Sequence, residues 1–130
     1  MPYVVGGYAT PPPAAAIAEA SVNRIRTYAR VQGVAGVKAA LAQGRPVVLG
    51  IVVYASFERV GKDGLVPLPA LNEQMMGGHA ILAVGYDDAS GTVRLQNSWG
   101  AGFGDGGFLH MPYAYVADAH LCFEAWTMAA

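Results

Sequence analysis

The residue types suited to bond-breaking chemistry are few in this chain: His79, His110 and His120, the single Cys122, and Asn97 just before Ser98-Trp99-Gly100. His79 stands apart by context. It follows Gly77-Gly78 and opens the most apolar stretch of the chain, Ala80-Ile81-Leu82-Ala83-Val84-Gly85-Tyr86. An imidazole at such a loop-to-strand junction can face a cleft while the sheet fixes its backbone. Asn97 ends the next alternating segment, Thr92-Val93-Arg94-Leu95-Gln96, and Asp87-Asp88-Ala89-Ser90-Gly91 forms the turn between the two. Hairpin pairing of these segments brings His79 and Asn97 to one end of the sheet. There an amide oxygen accepting the imidazole N–H sets the ring's tautomer and orientation, the task of a third catalytic group. Trp99 is placed to cover that bond and exclude water. The spacing fits equally a core histidine satisfied by a nearby amide, with Trp99 as ordinary packing.

The other candidates carry less. His110 sits within an alternating segment and His120 follows a polar turn; both read as structural or surface residues. With His79 they show no metal-ligand spacing, and Asp87, Asp88 and Asp118 complete none. Cys122 lies between Leu121 and Phe123, where a lone thiol is expected to be buried and inert. One cysteine also excludes an internal disulfide and a multi-cysteine metal site. No cofactor or metal is expected.

The elements that must position these residues follow from periodicity and chain breakers. Val34–Ala42 is the best helix: Val34, Val37 and Leu41 share a face, and Gly44 can end it in a left-handed conformation. Pro46 forbids continuation, and Val47–Val53 then forms a buried strand. Gly107–Met111 and Leu121–Met128 read as further strands. Residues 1–21 form a proline- and alanine-rich connector: Pro11-Pro12-Pro13 favours an extended run, and the alanines that follow favour helix. Arg24–Val31 alternates as a half-buried strand would. Ser56–Met76, broken by Gly61, Gly64, Pro67 and Pro69, is a long excursion near a binding site. The expected architecture is α+β, a twisted antiparallel sheet or partly closed barrel with one short packed helix. It occupies residues 22–130.

Composition bounds the rest. A chain of 130 residues that is 54% hydrophobic and 13% charged is one packed domain. Its formal charge of −1 is low for a free surface. Burial against another lobe accounts for this, and so does a bias towards alanine and glycine. No run of Lys or Arg marks a nucleic-acid or anionic-membrane footprint, so neither partner is expected. No window reaches the length of a membrane span. Met1-Pro2-Tyr3 does not open a recognisable signal peptide, which leaves the compartment undefined.

Two blocks, Gly77-Gly78-His79-Ala80-Ile81-Leu82-Ala83-Val84-Gly85-Tyr86 and Gln96-Asn97-Ser98-Trp99-Gly100-Ala101-Gly102-Phe103-Gly104-Asp105-Gly106-Gly107-Phe108, resemble together the signature segments of the papain family of cysteine peptidases. Gly33–Gly50 is similar to the family segment before its central strands. Met111–Val116 with Trp126 is similar to the tail of bacterial members. The resemblance implies a papain-like right-hand, β-rich lobe and hydrolysis of peptide bonds. It implies His79 as catalytic histidine, Asn97 as its orienting partner and Trp99 as their shield. Family members place the cysteine, and a glutamine for the oxyanion hole, in a preceding helical lobe. Met1–Gly33 has no counterpart to either, since Gln32 is its one glutamine. The resemblance therefore implies a fragment, or one half of a split enzyme, that is inactive alone and partnered by a Cys-bearing lobe and a peptide substrate. A non-catalytic peptide- or protein-binding module using loops 56–78 and 100–106 is the alternative. Gly77, Gly78 and Met76 are the substrate-cleft candidates, with Gly78 leaving room beside the imidazole and Met75-Met76 offering adaptable apolar contacts.

Overall fold

The computed structural model describes residues 6–129. Six strands form one open antiparallel sheet: β1 (Thr27–Arg30), β2 (Val47–Tyr54), β3 (Met75–Asp87), β4 (Thr92–Gln96), β5 (Phe108–Pro112) and β6 (Cys122–Ala129). Their spatial order is β1-β6-β2-β3-β4-β5. The chain thus runs from one edge towards the middle, out to the other edge, and returns with β6 between β1 and β2. The fold is α+β with an unclosed sheet.

Helices α1 (Ala14–Ala20), α2 (Gly33–Ala42) and α3 (Tyr113–Ala117) accompany it, two more than the single helix expected. The alanines of α1 decide for helix once Pro13 has fixed the N-terminal turn. Pro112 does the same for α3, which buries Tyr115 and Val116. The end of α2 follows its sequence closely. Gly44 takes φ +71°, its N–H donates to the Leu41 carbonyl, and the Arg45 N–H donates to that of Ala40. This paired closure satisfies two carbonyls that the helix leaves open.

Strand β2 shows why the sheet has one wet and one dry face. Val47, Leu49, Ile51 and Val53 are buried, and the residues between them are half-buried. The dry face joins Ile81 and Ala83 of β3, Val93 and Leu95 of β4, Leu109 and Met111 of β5, and Val37 of α2 in one core. A lysine ties the helices to the hairpin turn. Lys38 of α2 pairs with Asp88, which also accepts a 2.8 Å bond from the Tyr113 hydroxyl. The Lys38 ammonium lies 5.1 Å and 5.4 Å from the Tyr86 and Tyr113 ring centres. These contacts hold the Asp88 carboxyl below the usual carboxylate range.

The expected excursion is shorter than its glycines and prolines imply. Met75–Gly78 belongs to β3, not to a loop, because the β2 ladder extends to Tyr54 and templates it: Gly78 pairs Val52, Gly77 pairs Val53 and Met75 pairs Tyr54 across a bulge. The remaining loop turns at Phe57–Arg59 and sends Phe57 and Val66 into the core. Glu73 braces it, accepting from the backbone N–H groups of Ser56 and Ala70. The arm then crosses to β5, where Val66 N–H donates to the His110 carbonyl and His110 N–H donates to the Gly64 carbonyl.

Tyr115 supplies a test of the core. It is 1% exposed and its hydroxyl donates to the Val52 carbonyl at 2.6 Å. Tyr115→Phe should cost about 1 kcal/mol at neutral pH, read from urea midpoints. Burial pushes the phenol up to about 12, above its unfolded value near ~10. The folded state therefore favours the protonated form. That contribution is complete below the unfolded value and disappears as pH rises through the folded one. The alkaline decline in stability should be shallower in Tyr115→Phe than in the native chain.

Candidate active site

The β3–β4 ladder places Leu82 opposite Gln96 and Ala83 opposite Leu95. One step beyond its last pair, the chain leaves β4 at Asn97, whose N–H donates to the Gly107 carbonyl at 3.0 Å. Asn97 and His79 thus project from neighbouring strands on the side of the sheet that carries the core. The His79 Nε2 lies 2.9 Å from Asn97 Oδ1. The Ser98 N–H also donates to that oxygen, at 2.8 Å, which identifies the acceptor end of the amide. An amide oxygen only accepts, so Nε2 carries a proton, and in the neutral ring Nδ1 then holds the free lone pair. Among the described residues Nδ1 has no hydrogen-bond partner. Asn97 Nδ2 is buried and unpaired as well.

Aromatic rings enclose the pair. The Trp99 ring centre is 5.0 Å from that of His79 at a 35° tilt. Phe57 stands edge-on to His79 at 6.3 Å and to Trp99 at 5.6 Å. Phe103 closes on Trp99 at 4.9 Å. Edge-to-face packing at these separations is favourable for rings. Trp99 remains 42% exposed, whereas Phe57 is 1% exposed. One side of the imidazole therefore rests on the core while its cover faces solvent. Phe57 and Phe103 were not singled out in the sequence. Their signals are a lone large aromatic in a glycine- and proline-broken loop, and an aromatic inside a glycine-dense turn.

That turn is shaped by backbone that a side chain would disrupt. Gly104 has φ +58°, and a Cβ there would lie 2.5 Å from the Phe108 carbonyl oxygen. The Gly107 N–H donates to the Phe103 carbonyl at 2.9 Å, curling the loop back beneath Trp99. The cleft candidates beside His79 differ in character. Gly77 takes φ +139°, a conformation suited to glycine. Gly78 lies on the wet face, and Met76 is largely exposed.

The remaining candidates lie elsewhere. His110 Nε2 is 3.3 Å from Asp105 Oδ2 on β5, and His120 follows α3, its backbone N–H capped by Asp118. Cys122 shares a row of the sheet with His79: each pairs with Ile51, from opposite sides of β2. Two strand spacings, roughly 10 Å, separate their backbones. The fully buried Ile51 side chain fills the gap between them. Burial raises the Cys122 thiol above its ordinary value, which disfavours thiolate.

Comparison with known proteins identifies the family and the fold. A family model for papain family cysteine proteases matches residues 8–125. An uncharacterized peptidase C1-like protein of Acanthamoeba polyphaga mimivirus is 40% identical over 126 residues, 88% of this chain and 40% of that protein. Xylellain, a cysteine protease from Xylella fastidiosa, is 38% identical, with a TM-score of 0.76 over 82% of this chain and 41% of that one. Bromelain of Ananas comosus, at 21% identity, shares the fold, with a TM-score of 0.60 over 81% of this chain and 50% of that one. The chain spans about two fifths of the length of its nearer relatives here. The chain belongs to the papain family of cysteine proteases.

Proposed function

We propose that this chain supplies the His79–Asn97 half of a cysteine peptidase site, with Trp99 as its shield. The nucleophilic thiol comes from a helical lobe outside these 130 residues. The family relationship supports peptidase function at a general level. One observation carries the finer reading. The imidazole is anchored through Nε2, keeps Nδ1 open, and has Ile51 between it and the chain's only cysteine.

In this reading His79 Nδ1 accepts the proton of the incoming thiol, giving a thiolate–imidazolium pair. The sulfur attacks the scissile carbonyl, and a tetrahedral oxyanion forms against donors of the partner lobe. Nδ1–H then protonates the leaving amine, and the sulfur remains as thioester. Water next gives a proton to Nδ1 as its oxygen attacks the thioester, and the returning proton restores the thiol. Asn97 holds the ring through both transfers, so Nδ1 meets the reacting atoms without reorientation. Trp99 and Phe57 keep water from competing for the Asn97 oxygen. Gly77 and Met76 border the path of the substrate, whereas Gly78 alternates to the opposite face of the sheet. Alone, the chain offers an oriented base with no nucleophile to activate.

The purified chain should not cleave casein. Co-expression with the cysteine-bearing half of the Xylella fastidiosa protease should yield casein cleavage that thiol alkylation blocks. His79→Ala in that pairing should reduce the rate by roughly 10²–10⁴-fold. Alkylation-sensitive turnover by the chain alone, or an unaffected His79→Ala pairing, would refute the assignment.

The shield has its own readout. In Trp99→Ala the His79 Nε2 proton should exchange with water at least several-fold faster by NMR, while the β3–β4 amides stay protected. Unchanged exchange would show that the indole does not exclude water from the bond.

A further inference from the structure

The two edges of the sheet are treated differently. The outer edge of β5 is occupied by the arm at Gly64–Val66, through the His110 bonds described above and the Leu65–His110 bridge. The outer edge of β1 has no backbone partner among the described residues; β1 pairs only with β6. Unpaired strand edges recruit other strands unless something prevents it.

Around that edge the charge is one-sided. Arg24, Arg26 and Arg30 lie on β1 and its approach. Arg45, from the turn after α2, lines one cleft with Thr27, Tyr28 and Ala29 and another with Arg30. These are four of the eight Lys and Arg residues in a chain of net charge −1. All four are exposed, and none forms an ion pair among the described residues. No acidic residue occurs between Glu19 and Glu58; Glu124 is the one carboxylate sharing a cleft with Arg30. Period-two alternation puts Arg26, Tyr28 and Arg30 on one face. Tyr28 packs 5.9 Å from Trp126 yet is 74% exposed, and nearby Ile25 is 57% exposed.

We propose that the β1 edge is a docking edge for an extended acidic segment of another protein, which joins the sheet as an added strand. Main-chain bonds supply the attachment, and alternate side chains supply the choice of partner. The matching strand carries two carboxylates four residues apart, opposite Arg26 and Arg30, with an apolar residue between them over Tyr28. A second copy of this chain is a poor occupant. Antiparallel pairing about Tyr28 would set Arg26 of one copy against Arg30 of the other, and like charges directly opposite are unfavourable. Charge alone would suffice to keep an edge from self-association; the exposed Tyr28 and Ile25 give an incoming strand apolar surface to cover.

The probe is a capped seven-residue peptide with glutamates at its second and sixth positions and leucine at the fourth. Its counterpart carries lysines in place of the glutamates. Added to the isotope-labelled chain, the acidic peptide should shift and protect the amides of Thr27–Arg30, with affinity that falls as salt is raised. The double variant Arg26→Glu, Arg30→Glu should bind it at least roughly tenfold more weakly and should accept the lysine peptide instead. Four outcomes would overturn the proposal: perturbation centred away from β1, equal binding of both peptides, no binding at millimolar peptide, or self-association of the native chain through β1.

Discussion

Everything at the site depends on one hydrogen bond, from His79 Nε2–H to Asn97 Oδ1. Neither residue is held by its own rotamer alone. The β3–β4 ladder sets where the two backbones stand, and the Asn97 N–H bond to Gly107 sets where the chain leaves β4. The Ser98 N–H then pins the amide with its oxygen towards the ring. A bond between a neutral imidazole and an amide has modest net worth in water. Its value here is orientational. It selects which nitrogen carries the proton, and so which one is free to act.

Aromatic residues from two separate loops pack around that bond. Phe57 comes from the loop after β2, Trp99 from the turn after β4, and Phe103 from the far side of that turn. Each loop is held by its own polar device. Glu73 closes one on Ser56 and Ala70, and Gly104 lets the other pass close to the Phe108 carbonyl. The site is therefore rigid on the core side and open on the Nδ1 side.

The hairpin and the His79–Asn97 contact were legible because they are local. The apolar run Ala80–Tyr86, the alternation of Thr92–Gln96 and the Asp-Asp-Ala-Ser-Gly turn between them define both strands, and the end of each strand defines the pair. The α2 stop at Gly44 was legible for the same reason. What could not be read was long-range. Met75–Gly78 carries two glycines and reads as loop, yet β2 supplies enough ladder to draw it into β3. Phe57 reads as a loop residue until the His79 and Trp99 rings give it somewhere to pack. The separation of Cys122 from His79 depends on β6 returning between β1 and β2, an order that no local pattern encodes.

That return of β6 also links the two ends of the sheet. By inserting at the centre, β6 makes β1 an edge and puts Cys122, Ile51 and His79 in one row. The buried side chain of Ile51 then acts as a spacer between sulfur and imidazole. Topology thus keeps the chain's only thiol away from His79, whose Nδ1 has no hydrogen-bond partner among the described residues. It also makes β1 an edge, where arginines stand on either side of an exposed tyrosine.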